Sequence, residues 1–89
     1  MAWSIKFDRA AAKELAKLDK TVAKRITRFL AERVAPLDNP REIGSPLKGS
    51  ALGEFWRYRV GDYRIVCRIE GAGITVIVLR VASRKEVYR

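Results

Sequence analysis

Apolar and polar positions change period several times along this chain, and each change marks an element. In WSIKF, Trp3, Ile5 and Phe7 alternate with Ser4 and Lys6, the period-two pattern of a strand with one covered face. Asp8 then stands where a helix N-cap belongs. Over residues 9–18, Ala11, Ala12, Leu15 and Leu18 recur at helical spacing, which predicts a helix that stops near LDK. Over residues 21–34, Val22, Ile26, Phe29, Leu30 and Val34 form a second helical stripe, with Lys24, Arg25, Arg28 and Arg33 mostly facing away. Two short helices joined by a tight turn predict a helical hairpin that covers one face of a sheet.

Residues 35–54 hold all three prolines and three of the six glycines, and read as a long ordered loop of the kind that often carries function. Three strands follow, Phe55–Val60, Tyr63–Glu70 and residues 73–82, separated by GD and GAG turns. The predicted fold is a single α+β domain over residues 1–89, in the order β-α-α-β-β-β, with one sheet covered on one face by the helices. The first hairpin has Gly in the leading position of a two-residue loop, as a type II′ turn prefers, so Val60 is expected to pair with Tyr63. Counting outward pairs Arg59 with Arg64, Tyr58 with Ile65, Arg57 with Val66 and Trp56 with Cys67. Because side chains alternate between faces, Trp56, Tyr58, Val60, Tyr63, Ile65, Cys67 and Ile69 make a core face. Arg57, Arg59, Arg64 and Arg68 make the other.

Charge gives that second face its meaning. The 89 residues carry 19 Lys and Arg against 10 Asp and Glu, a formal net charge of +9. Such an excess favours a polyanionic partner. From residue 55 onward eight basic residues meet three acidic ones, Asp62, Glu70 and Glu86, so carboxylates to neutralise the arginines are scarce. Phosphate suits the planar guanidinium fork, and an external anion is the expected partner of this face. Cys67 is the single cysteine, which excludes an intrachain disulfide and fits a reducing cytoplasm; it reads as a small buried hydrophobe. Histidine is absent, which removes the usual general base and the commonest metal ligand, so no metal or cofactor is expected. No apolar run reaches the ~18–20 residues of a membrane span.

The runs PLKGSALGEFWRYRVGDYRIVCRI and ITVIVLRVASRKEVYR resemble the RelE/ParE superfamily of bacterial and archaeal toxins. Its LKG loop, R-x-R-V-G-D-Y-R hairpin and terminal R-K-E-V-Y occur here in order and at the expected spacing. The resemblance implies a type II toxin–antitoxin component of the RelE kind, an mRNA interferase that cuts messenger RNA in the ribosomal A site. It also implies partners: a cognate RelB-like antitoxin, the ribosome and mRNA, with operator DNA bound through the antitoxin. The other branch of the superfamily, whose ParE-like members act on DNA gyrase without cleaving RNA, is the alternative.

Residue by residue, the resemblance assigns Arg64 to the scissile phosphate, Arg84 to the leaving group and Tyr88 to the attacking nucleotide. Arg57 and Arg59 stand where some members have two lysines, one of them a proposed general base. Arginine stays protonated at any ordinary pH, so Arg59 is expected to act electrostatically, with Tyr88, Glu86 or a ribosomal group taking the proton. Lys48 of the LKG loop and Arg68 complete the expected RNA-binding set. Ser83 replaces the histidine found before the arginine in many relatives, which leaves no imidazole for the chemistry.

Overall fold

A computed structural model describes residues 2–49 and 53–83. Strand β1, Ser4–Phe7, is followed by helix α1, Arg9–Ala16. Asp8 takes the N-cap position, but its side chain makes no capping bond; its carbonyl accepts from the Ala12 N–H at 2.9 Å instead. The helix ends two residues before the predicted Leu18. There the Leu18 N–H turns back to the Leu15 carbonyl, and the Asp19 side chain accepts from Thr21 N–H at 3.2 Å to start the next helix.

Helix α2 runs Lys20–Phe29, and the remainder of its predicted length, Leu30–Val34, is a π-helical turn. Widening the last turn keeps both Leu30 and Val34 buried and lets the Ala35 carbonyl accept from Trp3 N–H at 2.8 Å. The helical hairpin is thereby fastened to β1.

The long loop is more structured than its composition suggests. A 3-10 turn at Pro40–Glu42 is closed by a reciprocal capping box, in which Asn39 Oδ1 accepts from Arg41 N–H and Glu42 Oε2 accepts from Asn39 N–H. A two-residue strand β2, Ser45–Pro46, then pairs antiparallel with β3, Phe55–Val60. Gly44 makes this close approach possible: its φ is +80°, and a Cβ there would lie 2.5 Å from the Arg57 carbonyl oxygen.

Strands β4, Tyr63–Glu70, and β5, Thr75–Ser83, complete a five-stranded sheet of order β1-β5-β4-β3-β2. The hairpin register is the predicted one at every position, from Val60↔Tyr63 to Trp56↔Cys67. The predicted core face is also realised. Tyr58, Ile65 and Cys67 are almost wholly enclosed with Ile26, Leu30 and Val34 of the helical layer, and Tyr63 is partly covered. Trp3, Ile5 and Phe7 pack at the margin of the same cluster. β1 joins β5 in parallel, and a bulge shifts the β4–β5 register between Val66 and Cys67, so that Val66 faces Arg80 while Cys67 faces Val78. Among the described residues no helix is long and apolar enough to cross a membrane.

Candidate functional site

The register of β3 and β4 sets two arginines directly opposite each other, Arg59 against Arg64. Such a like-charge pair costs up to roughly 1 kcal/mol. The neighbouring pairs on the opposite face outweigh it, because fully burying a single Ile or Val side chain is worth about 1.5–3 kcal/mol and Tyr58↔Ile65 is almost completely enclosed. The core therefore dictates the register, and the arginines are held together by it.

The turn sharpens the arrangement. Gly61 has a φ of +59° while Asp62 stays at negative φ, as a type II′ turn requires, and the strands meet without splaying. Arg59, Gly61, Asp62 and Arg64 enclose a cleft of about 140 Å³, several times the roughly 30 Å³ share of one liquid water and large enough for a phosphate group. Arg59 is exposed and makes no hydrogen bond or ion pair among the described residues. Arg64 belongs to the predicted outward face, yet it is only 4% exposed and already partnered. Ala82, which pairs with it on β5, is equally enclosed. A third guanidinium, not foreseen at this place, comes from α2: a Cβ on Gly61 would lie 3.2 Å from Arg25 Nη1. Helical periodicity turns Arg25 away from the core without saying that the hairpin tip rises to meet it.

The other sequence-assigned residues fall along the same ribbon, away from the cleft. Arg57 is half-buried and donates from Nε to Ser45 Oγ at 3.0 Å. Arg68 is paired with Glu70 at 2.8 Å. Lys48 is exposed in the loop beyond β2, and because Leu47 N–H donates to the Phe55 carbonyl it sits at the far end of β3, roughly 15 Å from the tip at ~3.3 Å per strand residue. Arg84 and Tyr88 lie outside the described residues.

Carboxylates are less scarce around the arginines than the strand segment suggests. Glu14 of α1 accepts from Val81 N–H at 2.9 Å, next to the bulge, and its other oxygen meets Arg80 at 3.2 Å. That partner is 66 residues away in sequence, which is why local counting misses it.

Two further ionisable groups are enclosed behind the ribbon. Burial pushes the Cys67 thiol from 9.0 up to about 12, and burial, reinforced by Cys67, raises the Tyr58 phenol well above its ordinary value although Arg41 opposes the shift. Tyr58 donates its hydroxyl to the Pro40 carbonyl at 2.6 Å, and Trp56 Nε1 donates to the Ile43 carbonyl at 2.7 Å. These groups clamp the loop to the sheet and hold their protons at neutral pH. A larger hollow of about 450 Å³ lies along α2 between Lys20, Lys24 and Thr27, but it presents only lysines, threonines and an alanine. The smaller cleft, with opposite charges converging, is the better chemical site.

Comparison with known proteins accords with this fold. Residues 5–88 match the family described as ParE toxin of type II toxin–antitoxin system, parDE. The chain is 30% identical to Toxin RelG of Mycobacterium tuberculosis over 89 residues, covering 100% of this chain and 99% of the relative. It is 32% identical to the mRNA interferase toxin RelE of Escherichia coli over 90 residues, covering 99% and 92%. Among solved structures, a chain of the RelBE2 toxin–antitoxin complex from Mycobacterium tuberculosis superposes with a TM-score of 0.80 at 27% identity, over 94% of this chain and 93% of that one.

Proposed function

This chain belongs to the RelE/ParE toxins as a RelE-like toxin of a type II toxin–antitoxin system, and from that premise we propose that it is a ribosome-dependent endoribonuclease. The observation that carries this reading is the cleft at the hairpin tip, where Arg59 and Arg64 converge on a space fit for one phosphate. RNA supplies its own nucleophile, the 2′-hydroxyl, so the protein has to align the strand, stabilise the phosphorane and manage two protons. Arg64, supported by the surrounding fold, holds the scissile phosphate. Arg59 adds charge to the developing phosphorane, and Arg57, Arg68 and Lys48 guide the backbone along the ribbon. Arg84 and Tyr88 keep the roles that the resemblance implies, at the leaving group and the attacking nucleotide.

The proposed restraint is a RelB-like antitoxin, a protein whose acidic or extended segment covers the basic ribbon. The antitoxin would also carry the complex to operator DNA in the cytoplasm. Induced expression is expected to halt translation and leave codon-phased mRNA ends in primer extension, and Arg64→Ala to abolish both. The description parDE in the matched family favours one second reading, inhibition of DNA gyrase. Intact mRNA together with accumulated gyrase-cleaved DNA after induction would establish that reading instead.

A further inference from the structure

A site made of arginines holds a phosphate but cannot accept the proton of the attacking 2′-hydroxyl, and the hairpin tip contains one group that can. Resting on the nuclease reading above, we infer that Asp62 is a catalytic residue, the acceptor of that proton. Asp62 lines the same cleft as Arg59 and Arg64, at the second position of the tight turn. It is exposed, and no ion pair or hydrogen bond among the described residues occupies it. Four other ionisable groups of the fold are otherwise engaged. Glu14 is bound to Val81 N–H and Arg80, Glu70 is bound to Arg68, and Tyr58 and Cys67 are enclosed and protonated. The groups facing Asp62 are cationic: Arg59 and Arg64 from the strands, and Arg25 from α2 against the adjacent Gly61. They draw the substrate phosphate to its side.

In the step so assigned, an Asp62 oxygen takes the 2′-hydroxyl proton as the 2′-oxygen forms its bond to phosphorus. The bond from phosphorus to the 5′-oxygen then breaks, and that oxygen leaves with a proton drawn from solvent or a neighbouring donor. The products are a 2′,3′-cyclic phosphate and a 5′-hydroxyl, and Asp62 returns its proton to water. No other reactant is consumed.

The test is single-turnover cleavage of mRNA on programmed ribosomes by the full chain and by Asp62→Asn, a substitution the turn tolerates. Loss of a general base typically lowers the rate 10²–10⁴-fold. The expected result is a fall of that size with ribosome and mRNA binding unchanged or tighter, and partial recovery in Asp62→Glu. Cleavage by Asp62→Asn within threefold of the parent overturns the inference while leaving the nuclease reading intact. A parent protein that cuts no ribosome-bound mRNA overturns both. The pH profile of the parent gives a second measurement independent of any variant. With Asp62 as acceptor the rate is expected to be flat from about pH 6 to 8. A rise of about tenfold per pH unit, the mark of a tyrosine or other weak acid as acceptor, would exclude Asp62.

Discussion

The two ends of the β3–β4 ribbon carry the same residue types and use them differently. At the base, each arginine has a partner within the fold: Arg57 is tied to Ser45, Arg68 to Glu70, and Arg41 Nε to the Gly53 carbonyl at 2.9 Å. At the tip, Arg59 and Arg64 are forced together by the register of the core behind them, with Asp62 as the one carboxylate in their cleft among the described residues. Positive charge alone therefore does not locate a site in this molecule. What distinguishes the tip is like charge set directly opposite like charge, a placement that costs energy.

That contrast can be broken most sharply at Arg59. Arg59→Ala is expected to reduce cleavage of ribosome-bound mRNA by about 10²–10³, the usual loss for one donor to a developing oxyanion, with a urea midpoint unchanged or raised as the like-charge pair is relieved. A variant that lost stability and kept its rate would place Arg59 with the base arginines. At the base the order reverses. Gly44→Ala must hold an alanine at φ +80° against the Arg57 carbonyl, and is expected to cost roughly 1–3 kcal/mol or more in chemical denaturation.

Alkaline titration probes the layer behind both ends. The folded Cys67 thiol ionises near pH 12 against 9.0 when unfolded, so above pH 9 the unfolded chain holds fewer protons than the folded one. Stability is fully present below pH 9 and is lost as pH rises toward 12, at about 1.4 kcal/mol per pH unit from this one group. Tyr58, shifted the same way, adds to the loss at the upper end of that range. The denaturation midpoint is expected to fall between pH 9 and 11, and to fall less steeply in Cys67→Ala. A steeper fall in that variant would mean the thiol is not sealed in the folded state. The smallest effect belongs to Arg68→Ala, whose ion pair with Glu70 is nearly half exposed and worth within about 1 kcal/mol. Its rate is expected to change only a few-fold, and a loss as large as that of Arg59→Ala would erase the distinction between tip and base.

Most of the sheet was legible in the chain because local signals agreed. The leading glycine of the turn and strict alternation in FWRYRV set register and faces together, and both hold in the fold. Residues 73–82 offered no such guide. In TVIVLRVA nearly every position is apolar, so a bulge leaves no trace in the pattern and the strand's faces change phase unseen. The pairing of β2 was hidden for another reason, since two residues are too few to show a period. Alternation assigned Arg64 to the outer face correctly but carries no information about what covers that face, and the residue is buried. Glu14 and Arg25 were missed because each reaches its place by tertiary packing from a helix, and Asp62 because a turn aspartate looks like turn chemistry alone.

The parallel pairing of Ser4–Phe7 with Thr75–Val78 bears on when the protein becomes active. A sheet whose first strand waits for its fifth closes a long loop before that contact is repaid, and such topologies fold late and slowly. During synthesis the helical hairpin and the β3–β4 ribbon emerge before β5 exists to join them to β1, so a partly made chain has no assembled sheet behind its arginines. Under the proposed action on ribosomes, that delay separates the machine that makes the protein from the machine it attacks.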